Sequence, residues 1–244
     1  PTLTLPPVMG HRGAAALAPE NTLAGLEAAA AAGCTWVEVD VRLSADGVPV
    51  LHHDPDLRQT AGLARRVGSL SAARLGDLDV GQHFDAAHAG ATIPSLAAAL
   101  RHMARLGLRA NLELKPLPAR ATELVTRVAA VLDAVSDGSA AAPAALVSSF
   151  SRPVLAAARD RLPECPRGLI VGRLPATWAR DLAALDCASI HVSRRHVSPA
   201  RAEAIKAAGY ALAIYTVNDP VEAGVFRRWG VDCVITDSPT ALAD

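Results

Sequence analysis

The sequence predicts an α/β protein, and the most specific fold that it indicates is a (β/α)8 barrel. A unit recurs along the chain in which an Ala- and Leu-rich helix ends in glycine and a short apolar strand follows. Strands that alternate with helices imply parallel βαβ units. Eight such units in 244 residues match the usual size of a (β/α)8 barrel. A doubly wound open sheet is the main alternative, but no glycine-rich phosphate loop follows the first strand.

The eight predicted strands are short apolar runs. They cover Val8 to His11, Trp36 to Val41, Arg109 to Leu114, Ala145 to Ser149, Gly168 to Val171, Ser189 to Val192, Tyr210 to Tyr215 and Asp232 to Ile235. A further short strand is predicted from Val48 to His52.

The helices between these strands carry start and stop signals. Glycine after a helix is the expected left-handed cap. Side chains of the capping type precede several helices, with proline at the first helical position of one of them. The glycines are Gly33, Gly107, Gly209 and Gly230, and the start signals are Asn21 or Thr22, Ser95, and Ser198 with Pro199.

One stretch interrupts the alternation. Residues from about Asp54 to Thr92 are rich in Gly, Asp, Arg and His and show little periodicity. A connection this long in a barrel is usually functional. We therefore expect a single barrel domain over residues 1–244, with an insertion at about 54–92 over the barrel mouth. A surface excursion without a role in chemistry is the alternative.

The composition excludes several classes of protein. Lys plus Arg and Asp plus Glu are equal at 24 each, so no electrostatic field for nucleic acid or a membrane surface is indicated. No apolar run reaches the length of a membrane span. The four cysteines lack metal-ligand spacing. A cytoplasmic location is expected, although the chain begins without methionine and a trimmed leader stays possible.

Two charged pairs lie within apolar strand-like runs. Glu38 and Asp40 alternate with valines, and Glu113 and Lys115 alternate with leucines. Residues two apart on a strand share a face, so each pair projects together. Buried charges must pair or bind a metal. Three carboxylates and one ammonium at one site suit a hard divalent cation beside an anionic substrate, and internal salt bridges are the alternative.

Other titratable side chains fall at the same end of the predicted barrel. The chemistry of such barrels lies at the carboxyl ends of the strands. The groups at this rim are His11 and Arg12 after the first strand, Glu38 and Asp40 on the second, His52, His53 and Asp54 after the further short strand, and Glu113 and Lys115 on the third.

These residues carry a family resemblance. The chain resembles the glycerophosphodiester phosphodiesterases of the bacterial cytosolic type, whose motifs occur in family order across nearly its whole length. The matching segments are His11-Arg12-Gly13, Pro19-Glu20-Asn21-Thr22, Glu38-Val39-Asp40, Val50-Leu51-His52-His53-Asp54, Ile93-Pro94-Ser95-Leu96, Leu112-Glu113-Leu114-Lys115, Ser149-Phe150, Tyr215-Thr216-Val217-Asn218, Gly230-Val231-Asp232 and Thr236-Asp237-Ser238-Pro239. The resemblance implies a (β/α)8 TIM barrel with a small insertion after the second strand.

The resemblance also implies a set of binding roles. Glu38, Asp40 and Glu113 would hold one divalent cation, and their oxygens suit either Mg²⁺ or Ca²⁺. Arg12 would contact the phosphate with its planar fork. Lys115 would add a point charge to the same group.

The implied reaction is hydrolysis of a glycerophosphodiester to glycerol 3-phosphate and an alcohol. His11 and His53 would be the general acid/base pair, since imidazole titrates near neutral pH. By resemblance His53 is the candidate acid and His11 the candidate base, and the two roles could exchange between steps. The nucleophile is either water or the glycerol 2-hydroxyl of the substrate.

The remaining assignments are less specific. Phe150 and Tyr215 would line the glycerol or alcohol pocket, with core packing as the alternative. Glu20 and Asn21 would shape the loop after the first strand, with helix capping as the alternative for Asn21. Tyr215 stands where the family commonly has Trp, so the resemblance does not predict which alcohol the substrate carries. The remaining histidines are expected to be structural or exposed: His52, His83, His88, His102, His191 and His196.

Two other functions remain open at this point. One is a lysophospholipase D or sphingomyelinase D-like phosphodiesterase that acts on lipids, which would depend on detergent or vesicles. The other is a non-catalytic phosphodiester-binding barrel, for which two titratable histidines would be unnecessary. We expect a small-molecule substrate, no nucleic acid and no stable membrane association.

Overall fold

Eight parallel strands close into a barrel in the computed structural model, which describes residues 3–117, 119–136 and 145–242. The ends of the predicted domain, residues 1–2 and 243–244, lie outside the described residues. The strands are β1 (Val8–Gly10), β2 (Trp36–Leu43), β3 (Pro49–Leu51), β4 (Asp56–Leu57), β5 (Leu63–Arg66), β6 (Arg109–Leu114), β7 (Ala145–Ser149), β8 (Arg167–Val171), β9 (Ser189–Ser193), β10 (Ala211–Tyr215) and β11 (Cys233–Thr236).

The sheet order confirms the predicted topology. β2 pairs with β6, each strand from β6 to β10 pairs with the next one along the chain, and β1 pairs with both β11 and β2. All of these pairings are parallel. The sheet therefore closes on itself, which excludes the open doubly wound alternative.

Nine α-helices lie in the described residues. They are α1 (Leu23–Ala31), α2 (Arg58–Ala61), α3 (Ala72–Gly76), α4 (Leu96–Leu106), α5 (Ala121–Ser136), α6 (Arg152–Arg161), α7 (Trp178–Ala184), α8 (Pro199–Ala207) and α9 (Pro220–Arg228). Seven of them connect barrel strands, and α2 and α3 lie between β3 and α4. After β11, the described residues include a 3₁₀ turn over Pro239–Ala241.

The helix ends follow the sequence signals with one difference. The hydroxyl of Thr22 accepts from the backbone N–H of Gly25 at 3.1 Å, which makes Thr22 the cap of α1. All four glycines after helices have a positive φ, between 69° and 84°. Ser198 occupies the cap position of α8 but its side chain makes no capping bond, so Pro199 provides the start signal there.

The chain between β2 and α4 is built from short elements. β3 pairs antiparallel with the end of β2, with Leu43 opposite Pro49, and this pairing extends β2 two residues beyond the predicted end at Val41. β4 and β5 then form a small antiparallel pair. This region has a small apolar core that is separate from those of the barrel. It consists of Val50, Leu57, Val67, Leu75, Val80 and Ile93.

Most of the apolar core lies between the barrel and the helices. A smaller cluster fills the barrel interior toward the amino ends of the strands, and it includes Met9, Trp36 and Leu146. The carboxyl ends of the strands are left to polar side chains. No helix in the described ranges has both the length and the apolar character that a membrane crossing requires.

Candidate active site

Three carboxylates converge on the carboxyl ends of two adjacent strands. Glu38 and Asp40 lie on β2 and Glu113 lies on β6, with Asp40 directly opposite Glu113 in the parallel register. One oxygen from each side chain lies within 4.8 Å of the others. Glu38 and Asp40 are buried, at 3% and 1% exposure. The arrangement could hold a metal ion.

The electrostatics of the three acids differ. Burial and the like charges of Asp40 and Glu113 raise the pKa of Glu38 well above its usual value. Burial and Asp40 likewise raise the pKa of Glu113. Burial acts on Asp40 in the same direction, but Lys115 and Arg12 outweigh it and leave the pKa of Asp40 below its usual value. A cation at Glu38 and Glu113 would offset their mutual repulsion.

The unpaired oxygens of the triad test whether it fits a cation. Oε1 of Glu38 is buried and has no hydrogen-bond donor among the described residues, and the buried Oδ1 of Asp40 has only the ammonium of Lys115 nearby. The ammonium of Lys115 lies 3.2 Å from Oδ1 of Asp40 and 3.1 Å from Oε1 of Glu113. Buried carboxylate oxygens without donors are costly. Hard divalent cations bind such oxygens, so the residues present fit one.

His11 follows β1 and is oriented by a carboxylate. Its Nδ1 lies 2.6 Å from Oδ1 of Asp237, which follows β11. The side-chain amide of Asn218 donates to Oδ2 of Asp237 at 2.8 Å and so fixes the carboxylate in turn. Nε2 of His11 lies 3.8 Å from Oε2 of Glu38. The free nitrogen of the ring therefore faces the triad.

His53 is oriented in the same manner from the other side of the site. Its Nδ1 lies 2.8 Å from Oδ1 of Asp54. The guanidinium of Arg42 donates to the backbone carbonyl of His53 at 2.9 and 2.7 Å and fixes the main chain. Burial lowers the pKa of His53 below its usual value. His52 makes different contacts, with the Asp54 carbonyl and the Thr60 hydroxyl.

Arg12 lies over the triad in a strained backbone conformation. Its φ is +51°, a region that side chains rarely adopt, and its backbone N–H donates to Oε2 of Glu38 at 3.1 Å. The guanidinium donates to Glu20 at 2.8 Å, and Nε lies 3.5 Å from Oδ2 of Asp40. Asn21 donates to Asp40 and accepts from its backbone N–H, so Asn21 supports the triad while Thr22 caps the helix.

Phe150 and Tyr215 form an aromatic pair beside the triad. Their rings meet edge to face with centroids 6.2 Å apart. The Tyr215 hydroxyl donates to the carbonyl of Val171 at 3.1 Å, which fixes its ring. Phe150 is 50% exposed, so it is not a core residue.

The residues between β3 and α4 contribute to a cavity at this end of the barrel. The cavity has a volume of about 380 Å³. Arg12, Glu20, His53 and Asp54 line one part of it. The other part is lined by Gln59, Thr60, Val80, His83 and Phe84.

Sequence reasoning missed two residues of this site. Asp237 and Asn218 belong to matched motifs, but neither was given a role at His11. A signal was present, because Asp237 comes two residues after the end of the last predicted strand, which places it at the same rim as His11. The contact itself joins residues 226 positions apart and depends on barrel closure.

Comparison with known proteins gives a consistent result. The model of the glycerophosphoryl diester phosphodiesterase family matches residues 11–241. A glycerophosphodiester phosphodiesterase of Caldanaerobacter subterraneus is 27% identical over 96% of this chain and 95% of its own length. A mouse glycerophosphoinositol inositolphosphodiesterase is 30% identical over 96% of this chain but only 46% of its own length. An Oleispira antarctica phosphodiesterase, solved with sn-glycerol-3-phosphate, is 36% identical with a TM-score of 0.93, covering 98% of this chain and 95% of that one.

Proposed function

This chain belongs to the glycerophosphoryl diester phosphodiesterase family, and on that basis we propose that it hydrolyses glycerophosphodiesters to glycerol 3-phosphate and an alcohol by histidine acid/base catalysis. One observation carries the proposal. Two histidines, His11 and His53, each have Nδ1 on a carboxylate beside the same buried acidic triad. A binding protein has no need for two oriented, titratable rings.

The substrate phosphate would be bound by two cationic side chains. The planar fork of Arg12 can bond two phosphate oxygens, and the ammonium of Lys115 adds a point charge. Glu38, Asp40 and Glu113 would hold one divalent cation, Mg²⁺ or Ca²⁺. When bound, this ion would offset the charge that develops at phosphorus. Arg12 and Lys115 would stabilise the same charge through fixed hydrogen bonds.

The histidines would move the protons. His11 would accept a proton at Nε2 from the nucleophile, while His53 would donate a proton from Nε2 to the departing alcohol oxygen. Asp237 would stabilise the protonated ring of His11, and Asp54 that of His53. Attack by water gives glycerol 3-phosphate directly. Attack by the glycerol 2-hydroxyl gives a cyclic phosphate first, after which the two histidines would exchange roles.

The surroundings of the site suggest where the rest of the substrate lies. The cavity beside His53 would take the leaving alcohol, which assigns residues 54–92 a function as the wall of that pocket within a single barrel domain. Phe150 and Tyr215 would contact the glycerol or alcohol from the opposite side. The proposed location is the cytoplasm.

Product analysis with and without metal tests the proposal. Wild-type protein is incubated with glycerophosphocholine or glycerophosphoethanolamine, with EDTA and then with Mg²⁺ or Ca²⁺ restored. We expect release of glycerol 3-phosphate that stops with EDTA and returns with metal. No release under any metal would contradict the proposal. Turnover of lysophospholipid vesicles alone would replace it with the lipid phosphodiesterase alternative.

A histidine variant tests the acid/base assignment. His53→Ala should lower kcat by about 10²-fold to 10⁴-fold while the circular dichroism spectrum stays that of the wild type. His102→Ala is the matched control, because His102 lies on α4 and its ring pairs with Glu27, outside the site. Turnover of His53→Ala equal to that of the control would remove His53 from the mechanism.

A further inference from the structure

The barrel interior beneath the acidic triad is polar. The interior of such barrels is normally filled by branched apolar side chains. Here four polar residues lie in this layer at 0% to 1% exposure: Asn111, Ser148, Ser189 and His191. Asn111 lies two residues before Glu113 and opposite Glu38 in the register of β2 and β6. Asn111 is therefore beside Glu38 and directly below Glu113 on the inner face of the barrel.

A missing side chain makes room for part of this layer. The His191 ring and the Ser189 hydroxyl are hydrogen-bonded to each other, with Nε2 and Oγ 3.1 Å apart. A Cβ atom at Gly168 would lie 2.7 Å from Oγ of Ser189 and 2.8 Å from Nε2 of His191. A side chain at that position on β8 would displace the Ser189–His191 pair.

Asn111 is the least satisfied member of the layer. Neither Oδ1 nor Nδ2 of its amide has a hydrogen-bond partner among the described residues, and its exposure is 0%. The amide can make up to four hydrogen bonds. A buried polar group without partners costs about 1–3 kcal/mol, and buried polar groups that lack protein partners are usually bonded to ordered water.

A cavity of suitable size adjoins the Asn111 amide. It has a volume of about 20 Å³ and is lined by Glu38, Asn111, Glu113 and His191, by His11 and Tyr215 from the rim, and by the apolar side chains of Ile170 and Ile235. About 10–15 Å³ is enough for one water molecule, and such a water needs two to four polar partners. The lining provides an amide donor, carboxylate acceptors and an imidazole ring. A dry cavity is expected only where the walls are apolar.

We infer that Asn111 holds a structural water molecule beneath the acidic triad, and that this water positions the Glu38 carboxylate for the cation. The amide of Asn111 donates to the water, the Glu38 carboxylate accepts from it, and the His191 ring is its third polar neighbour. Asn111 is thus a positioning residue for a metal ligand, not itself a ligand. The inference depends on the proposed function in one respect, which is that Glu38, Asp40 and Glu113 hold the metal ion.

The first measurement is the metal affinity of variants at Asn111. Leucine has the same branched skeleton of four heavy atoms as asparagine, but it is larger and offers no hydrogen bond, so Asn111→Leu should remove the water. Loss of an outer partner of a metal ligand typically weakens metal binding by about 10-fold to 100-fold, and we expect this rise in the Kd for Mg²⁺ or Ca²⁺ by calorimetry. Asn111→Ser keeps a hydroxyl and space for water, and should recover most of the affinity.

A neighbouring apolar variant controls for repacking of the interior. Leu146 lies opposite Asn111 on β7, so Leu146→Met perturbs the same barrel level without touching the polar bonds. Its metal Kd should equal that of the wild type. An unchanged Kd in Asn111→Leu, or an equal rise in Leu146→Met, would overturn the inference.

The second measurement is a high-resolution crystal structure of the wild type soaked with Mg²⁺ or Ca²⁺. Ordered water bonded to the Asn111 amide supports the inference. A dry cavity, or an Asn111 oxygen bound directly to the ion, overturns it. If the wild type bound neither ion, this result would count against the proposed function. The inference about the water is tested separately, because the crystal structure shows the water whether or not the protein turns over a substrate.

Discussion

At the scale of single residues, the two histidines of the site are oriented in the same way. Each places Nδ1 on a carboxylate, Asp237 for His11 and Asp54 for His53. Such a bond fixes both the tautomer and the direction of the ring. The nitrogen that remains, Nε2, is then available to a substrate. The two carboxylates therefore act on the reaction through the rings that they hold.

Asp237→Asn should impair turnover more than folding. Asn218 donates to one oxygen of Asp237, so the oxygen of the new amide would stay with Asn218 and its nitrogen would face His11. That nitrogen favours the wrong tautomer of the ring. We expect kcat to fall by about 100-fold, the low end of the range for acid/base catalysis, with little change in KM.

A matched control for this variant lies at the other end of the barrel. Asp232 pairs with Lys206 at 2.6 Å, so Asp232→Asn removes a charge without touching the site. It should lower the unfolding temperature and leave kcat unchanged. If Asp237→Asn retained wild-type kcat in the same assay, Asp237 would have no role in orienting His11.

The limits of the sequence are also clearest at single residues. The period of two along a strand was enough to place Glu38, Asp40 and Glu113 on one face, and the structure brings them together. The same period places Asn111 beneath Glu113. Its burial without partners was not predictable, because that depends on which side chains the other strands present. Contacts such as that of Asp237 with His11 require the closed barrel.

At the scale of elements, the glycine that ends each of four helices explains why the fold was predictable. Each of the four glycines turns the chain through a left-handed conformation, after which the next strand can enter the barrel. The insertion after β3 lacks such a regular signal. Its elements are two to five residues long and are held by a cluster of six apolar side chains. Short elements of this kind depend on tertiary contacts, which sequence periodicity does not reveal.

Gly107→Ala should measure the contribution of one such turn. Gly107 has a φ of +69°, and a Cβ there would meet no atom within 4 Å, so the cost is backbone strain alone. A side chain in the left-handed region costs about 1–2 kcal/mol. We expect the free energy of unfolding in urea to fall by about that amount.

Gly172 provides the matched control. A Cβ at Gly172 also meets nothing within 4 Å, but its φ lies outside the left-handed region. Gly172→Ala should leave stability unchanged or raise it by about 0.4–1 kcal/mol, because alanine restricts the unfolded chain. If the two substitutions changed the free energy of unfolding equally, the left-handed backbone at Gly107 would not be the reason that alanine destabilises the protein there.

At the scale of the whole molecule, the barrel buries ionisable side chains in its interior, and only some of them have charged partners. The triad has Lys115 and Arg12 beside it. His191, deeper in the barrel, has only the Ser189 hydroxyl as a hydrogen-bond partner among the described residues. Burial therefore lowers the pKa of His191 to about 4. Protonation of this ring is coupled to unfolding of the entire barrel.

This coupling predicts how stability depends on pH. The usual pKa of histidine is 6.5 and that of folded His191 is about 4. Below the higher value the unfolded chain takes up a proton that the folded chain does not, so stability falls as pH decreases from 6.5 toward 4. Between about pH 7.5 and pH 5 the loss attributable to His191 is about 2 kcal/mol.

Urea unfolding of His191→Gln at both pH values isolates this contribution. Glutamine can keep a bond to Ser189 but takes up no proton, so the variant should lose about 2 kcal/mol less than the wild type between the two conditions. His83→Gln is the control, because the His83 side chain is exposed, and its pH dependence should match that of the wild type. If His191→Gln also matched the wild type, folded His191 would have to bind a proton as readily as the unfolded chain does. The protonated ring would then be stabilised in the folded protein by a carboxylate of the triad.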